Sequence, residues 1–391
     1  MTASRWWVLA AYAWLMGMSQ LLWLNFAPLL GQIQTRYGVS EFTAGLLLLV
    51  FPLLYVLLSL PAGTLADRRG YRYAVGLGSW LMAASSIARI FDASFWMLLL
   101  GQVGIAVAQP FVVNGITKMV TEWFPQEQGA IATGLGTMGM FLGMAVGMAA
   151  TPPLVEAVGL SGAMAVFAAA TFASAAAFAV SSRGRGAHAG VEGAPTVGEI
   201  RSLLRDRRVL LLLALSAIGL GVFNGLSTWL EELLKPSGIT AVQAGLVGGA
   251  LIVGGIAGAV VVPILSDATR RRRPFLIGCL AVAPFLCWPL TRGGGFGAMS
   301  AVAFGLGFFS MPSFALMLDM SAQVAGAQRA GGATALLMLT GNAGGVVLIV
   351  LVPALKSASG YGLASALMVG LLALGAGLAV LMPETFRAEQ A

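Results

Sequence analysis

The chain has 391 residues, 58% of them hydrophobic and only 9% charged, with a mean hydropathy of +0.89. An ordinary soluble domain carries about 25% charged residues, so this composition excludes one. The formal charge of +7 would suggest nucleic acid in a soluble protein, but here its distribution points elsewhere. With the amino terminus in the cytoplasm, all but five of the 22 basic residues fall on the cytoplasmic side, the exceptions being Arg36, Arg89, Lys235, Arg292 and Lys356. Such a bias orients a multi-pass membrane protein with both termini inside and gives no reason to expect a nucleic-acid partner. Compact loops and an arginine-heavy, lysine-poor composition suggest a bacterial inner membrane.

A helix needs about 20 apolar residues to cross the hydrocarbon core. Runs of that kind are predicted at residues 6–30, 42–66, 73–89, 95–120 and 130–150, in a sixth stretch ending near 181, and at 209–234, 241–266, 275–290, 296–320, 333–355 and 363–382. The period-two alternation of a barrel strand is absent, so helices are expected throughout. The first run exceeds the roughly 7–15 residues of a signal-peptide core and reads as a permanent span, with Trp6 and Trp7 at the head-group level. The fourth run is the most polar, carrying Gln102, Gln109, Asn114 and Thr117. In the fifth, Gly139, Gly143 and Gly147 recur every fourth residue, a smooth face suited to close helix packing or to a gate.

Pro110, Pro312 and Pro353 lie inside runs, where a lost backbone bond permits a bend, and Met311-Pro312-Ser313 is expected to break the tenth. Cys279 and Cys287 stand about 12 Å apart along one helix, too far for a bridge. Residues 182–207, rich in Gly, Ala and Arg, read as the one linker, and their basic amphipathic end at 197–204 suits the lipid surface. The expected architecture is an all-α integral membrane protein of twelve transmembrane helices, with an amino-terminal half at 1–181 and a carboxyl-terminal half at 208–391.

The most specific motif is Gly63-x-Leu65-Ala66-Asp67-Arg68-x-Gly70-x-Arg72, after the second run. A degraded copy follows the eighth run, with Pro263-Ile264-Leu265-Ser266-Asp267 and then the four arginines 270 to 273. Recurrence at one offset marks two related halves. A carboxylate closing an apolar helix can cap and pair, while arginines after it resist translocation; a loop that only sets topology is the plainer alternative.

Twelve spans in two sixes, a basic central linker and this loop together resemble the major facilitator superfamily over essentially the whole chain. The resemblance implies two pseudo-symmetric six-helix bundles that rock about a central cavity. It also implies a conformational latch at Gly63, Asp67, Arg68, Gly70 and Arg72, with Asp267 and Arg270 as its weaker counterpart. A narrower likeness is carried by Arg5-Trp6 through Trp23 to Pro28, Gly101-Gln102, Ala108-Gln109 and Trp123-Phe124-Pro125. These are similar to the feline leukaemia virus subgroup C receptor-related transporters, a branch linked to choline and haem. That likeness implies that Trp23 and Gln109 line the substrate cavity; where the branch completes an aromatic cage with a tyrosine, this chain has Asn224. The fifth run lacks the Gly-Pro pair of drug–proton antiporters, and Gln102 stands where many superfamily members have an arginine.

The candidate substrate-binding residues are Gln20 and Trp23, one turn apart on the first span, Gln109, Asn224 and Asn342, with Gln102 behind Gln109. Each amide reads equally well as a helix-to-helix hydrogen bond. No buried arginine is foreseen, so a site of amides and aromatic faces suits a neutral polar solute or a bulky organic cation. No clear titratable group falls in the middle of a span, and His188 lies in the linker. Asp319 and Glu231, near the ends of the tenth and seventh spans, are candidates for ion coupling; a salt bridge from Asp319 to Arg329 or to one of the arginines 270 to 273, and solvation of Glu231 and Glu232, are the plainer readings. No nucleophile is paired with a base and no metal-ligand cluster stands out, so neither an enzyme nor a cofactor is expected. The functional expectation is a monomeric secondary transporter that moves a small organic solute across the lipid bilayer by alternating access, in facilitative mode. A proton-coupled exporter and a non-transporting membrane sensor are the alternatives.

Overall fold

The computed structural model describes residues 5–183, 197–326, 329–357 and 360–385, and nearly all of them are helical. His188, Arg185 and Arg387 lie outside the described residues, as do the side chains of Asp67 and Glu199. The chain divides into two compact units at residues 194 and 195.

The first unit contains α1 (Arg5–Leu24), a 3-10 turn (Ala27–Leu29), α2 (Leu30–Tyr37), α3 (Glu41–Arg69), α4 (Tyr71–Ala88), α5 (Phe95–Val113), α6 (Ile116–Trp123) and α7 (Gln126–Ser181). The second contains α8 (Val197–Leu203), α9 (Arg207–Leu234), α10 (Ala241–Thr269), α11 (Arg273–Arg292), α12 (Phe296–Ala325), α13 (Ala330–Ala354) and α14 (Gly362–Val380).

Ten helical stretches among the described residues are long and apolar enough to cross a membrane. One of them, Ile131–Ser181, is 51 residues long and turns at Gly159, where φ is 73°, so it holds two membrane lengths. Together with the 18-residue α4 this is compatible with twelve spans. Leu57, Leu100 and Phe285 stand 60%, 61% and 79% exposed on the helix surfaces. Side chains of that kind in that number are at home facing lipid and would drive association in water.

Several expected boundaries move. The first run does not remain one helix to residue 30, because Pro28 starts a 3-10 turn and α2 carries the chain on to Tyr37. The fourth run yields at Asn114 and Gly115, four residues beyond Pro110. The fifth is longer than expected and runs through Pro152 and Pro153 to the turn at Gly159. The tenth is not broken, since α12 stays helical through Pro312. One proline removes a single backbone bond, and in lipid the surrounding turns have no alternative partner for theirs. Cys279 and Cys287 are buried thiols without a bridge.

Close packing comes from glycine. Cβ atoms built on Gly17 and Gly147 would lie 2.9 Å from the carbonyl oxygens of Gly139 and Leu21, and one on Gly143 would overlap the Gly17 carbonyl outright. The glycine face of α7 is thus a packing face against α1. In the second unit Gly344 meets the Ala217 carbonyl to join α13 to α9, while Gly254 and Gly258 meet the carbonyls of Phe304 and Phe308 to join α10 to α12. Lipid gives helices no hydrophobic reason to associate, so bare backbones in van der Waals reach, with their Cα–H to carbonyl contacts, supply the attraction. Two helix starts in the second unit are capped by side chains: Thr240 and Gln243 form a reciprocal capping box on α10, and Asp206 caps α9 by accepting from the Arg208 N–H at 2.8 Å. The Arg208 guanidinium also donates to Asp206, at 3.1 and 2.8 Å, and that side-chain hydrogen bonding is the main reason its carboxyl is held below the usual range.

Candidate functional site

In the first unit the predicted residues cluster on α1 and α5. Trp23 is 6% exposed, its ring lies near-parallel to Phe51 at 26° and 6.0 Å, and its indole N–H donates to the Leu48 carbonyl at 3.3 Å. Gln20, one turn earlier, is buried with Oε1 unpartnered. Gln109 is 5% exposed and makes no side-chain hydrogen bond to a described residue. Gln102 behaves differently, because its amide donates to the Leu22 carbonyl at 3.0 Å and ties α5 to α1.

Nearby, Tyr55 donates to Asn114 Oδ1 at 2.9 Å, and the Asn114 amide donates to Ser59 O and Oγ at 3.1 Å, closing the contact between α3 and α5. Tyr55 and Ser59 were not singled out in the sequence, although a lone tyrosine and a serine one turn apart in an apolar run are a usable signal.

In the second unit Asn224 is 1% exposed with neither amide atom partnered, and its side chain lies against Gly345 of α13. Asn342, one turn before that glycine, donates to the Met338 carbonyl of its own helix at 2.9 Å. Ser227 and Thr228 follow Asn224 on α9, both buried with unpartnered hydroxyls, and Glu231 lies one turn beyond. Contrary to the expectation of solvation, Glu231 and Glu232 are 7% and 6% exposed, with Lys235 3.6 Å from Glu232. These residues form a buried polar stripe along α9 with a carboxylate at its end. Trp229 points elsewhere, with its indole N–H on the Ile349 carbonyl at 3.0 Å.

At the motif, Gly70 joins α3 to α4 with φ 83°, a conformation that side chains rarely adopt. Arg68 and Arg69 are exposed, and Arg69 donates to the Tyr73 hydroxyl at 3.0 Å. A Cβ on Gly63 would meet nothing within 4 Å, so nothing in the fold explains that glycine. A recess of about 440 Å³ opens beside the turn, lined by Arg69, Arg72, Glu122 and Ser182 among others.

In the second unit the organising arginine is Arg272 rather than Arg270, which is exposed in a left-handed turn at φ 51°. Arg272 pairs with Asp267 at 2.5 Å and Asp319 at 2.6 Å and donates to Ser266 Oγ at 3.0 Å, while its backbone N–H reaches Glu384 at 2.9 Å. Asp319 therefore realises the salt-bridge reading. Arg272→Met is expected to destabilise the second unit by about 1–2 kcal/mol, short of the cost of a fully buried pair because Asp267 and Asp319 are 60% and 42% exposed. The check is the unfolding midpoint of the purified protein, which Arg270→Met should leave unchanged.

The expectation of no buried arginine fails at Arg89. It lies at the end of α4, 1% exposed, with Cγ against Gly101 of α5 and the guanidinium 4.6 Å from the centre of the Phe26 ring. Its place at the end of the third run gave no sign that the bundle closes over it.

The Major Facilitator Superfamily profile matches residues 12–349. The chain belongs to the Major Facilitator Superfamily. Within the superfamily it is 29% identical over 303 residues to solute carrier family 49 member A3 of Danio rerio, covering 72% of this chain and 63% of that one. It is 26% identical over 365 residues to the choline/ethanolamine transporter FLVCR1 of Felis catus, covering 86% and 65%. The chain thus spans just under two thirds of the length of these two relatives. Among solved structures it is similar to a bacterial homologue of the human lysosomal transporter Spinster, at 16% identity and a TM-score of 0.79 over 99% of both chains. The protein is therefore a multi-pass membrane protein of the superfamily's transporter type, with a small-molecule substrate, and the resemblance to the branch that contains FLVCR1 holds.

Proposed function

We propose that this superfamily member is a facilitative transporter of a small organic solute, with an organic cation of the quaternary or primary ammonium kind as its first candidate, working by alternating access as a monomer. It sits in a bacterial inner membrane with both termini cytoplasmic, as the charge bias favours. Gly70 and the Asp267–Arg272 pair are the switch elements of the two units in this reading.

The observation that carries it in the first unit is Gln20 Oε1, buried and unpartnered one turn from the near-parallel rings of Trp23 and Phe51; in the second unit both amide atoms of Asn224 are likewise buried and unpartnered. Unpartnered buried amides each cost about 1–3 kcal/mol, so their persistence supports a role toward a solute. Aromatic faces attract ammonium groups, and the relatives named for choline and ethanolamine make such solutes the first to try.

The test is uptake of radiolabelled choline, ethanolamine and a panel of organic cations into proteoliposomes, with and without an imposed proton gradient. Saturable uptake indifferent to the gradient is expected. The buried Glu231 favours a second reading, proton-coupled export. Transport only under a gradient, abolished in Glu231→Gln, would establish it and overturn the first.

A further inference from the structure

The end of the first unit farthest from the Gly63–Arg72 motif holds a cation with no counter-charge. The guanidinium of Arg89 is buried, and its Nε and Nη1 have no hydrogen-bond partner among the described residues. Asp92, three residues on, is the near carboxylate in sequence, but it is taken by Arg36 at 2.7 Å. A buried charge is retained only where something pairs with it.

What the guanidinium meets instead is Met164 on the second limb of α7. Arg89 Nη2 lies 2.9 Å from Met164 Sδ, and the amide nitrogen of Asn25, itself fully buried, points to the same sulfur at 4.0 Å. Two N–H donors, each from the residue just past the end of a helix, thus converge on one thioether, a weak acceptor. The Asn25 amide oxygen is also unpartnered, so this side chain can donate or accept there by turning its amide. Methionine is unbranched, with three rotatable bonds, and leaves such a position easily.

We infer that the point held by Met164 Sδ is a site for a small monovalent anion, a halide or the carboxylate group of a small organic acid, bound by Arg89 and Asn25, with the Met164 side chain as its displaceable plug. The site lies inside the first unit and is independent of the solute moved. An anion there receives the Arg89 and Asn25 N–H groups and balances the guanidinium, which also lies over the Phe26 ring. Because the plugged form competes, the apparent affinity is the intrinsic one reduced by the fraction unplugged.

The experiment uses the full chain purified in detergent and held at constant ionic strength with sodium sulfate, whose dianion is not the monovalent ligand proposed. Chloride and acetate are titrated separately into wild type, Arg89→Met and Met164→Ala, reading the unfolding temperature and, for chloride, the line width of its nuclear resonance. Wild type is expected to show a saturable upward shift with at least one anion, and the anion that half-saturates lower names the source. Met164→Ala is expected to half-saturate at about tenfold lower concentration, since the plug is gone. Arg89→Met, which replaces an unpaired charge by an apolar chain of similar length, is expected to show neither shift nor broadening. Equal anion responses in wild type and Arg89→Met would overturn the site, as would the same half-saturating concentration in wild type and Met164→Ala, a comparison that stands even if Arg89→Met fails to fold. No response to either anion in wild type and Met164→Ala would overturn it too.

Discussion

Gly143→Ala is expected to abolish correct assembly of the first unit. A methyl group there would overlap the Gly17 carbonyl, and both partners are backbone, so no rotamer relieves the collision. Overpacking an ordinary core costs about 1–3 kcal/mol; here α1 has to lift from α7 along the whole Gly17 and Leu21 contact, and the cost falls at or above the top of that range. Because Gln20 and Trp23 ride on that stretch of α1, any protein that still folds should also lose transport. Gly134→Ala is the control, since a Cβ there meets nothing within 4 Å and alanine is the better helix former. The check is yield and unfolding temperature by size-exclusion and differential scanning fluorimetry. Near-wild-type values for Gly143→Ala would mean that the two backbones do not approach as described.

The second large effect is expected at Trp23. Loss of a cation–π face is worth about 1–2 kcal/mol at a desolvated site, so Trp23→Ala should lower uptake at subsaturating solute by about five- to thirtyfold. The substitution also empties space beside Phe51 and releases the Leu48 carbonyl, so a fall in stability accompanies it. Trp23→Phe separates the two roles: it keeps a ring against Phe51 and drops only the indole N–H. If Trp23→Phe retains uptake while Trp23→Ala loses it at equal expression, the ring acts on the solute. If the phenylalanine variant fails as badly as the alanine variant while folding normally, the bond to Leu48 is what matters and the aromatic-face account is wrong.

The all-helical membrane fold was legible because hydrophobic length and arginine placement are direct consequences of lipid. The glycine spacing at 139, 143 and 147 was equally readable, since only a backbone contact needs three small residues on one face. Boundaries near Pro28, Gly115 and Gly159 were less so, because whether a turn kinks or continues depends on neighbours the local sequence does not name. Among the polar residues, Gln102 and Gln109 share one face seven residues apart, yet one ties two helices together and the other is unpartnered; only the position of the Leu22 carbonyl separates them. Arg89 was misplaced for the same reason. A charge at a helix end looks solvated in sequence, and burial is decided by what packs over it.

Where glycine lets two backbones touch, no side chain lies between them to be rearranged. The pairs α1 with α7, α9 with α13 and α10 with α12 are therefore stiff planks, each deforming as a unit while side chains elsewhere change rotamer. The seam between α3 and α5 is built from other material, the hydrogen bonds of Tyr55, Asn114 and Ser59, which can exchange one at a time. Compliance in the first unit is concentrated there, and backbone amides flanking Ser59 and Asn114 should exchange with solvent deuterium sooner than those flanking Gly17 and Gly143.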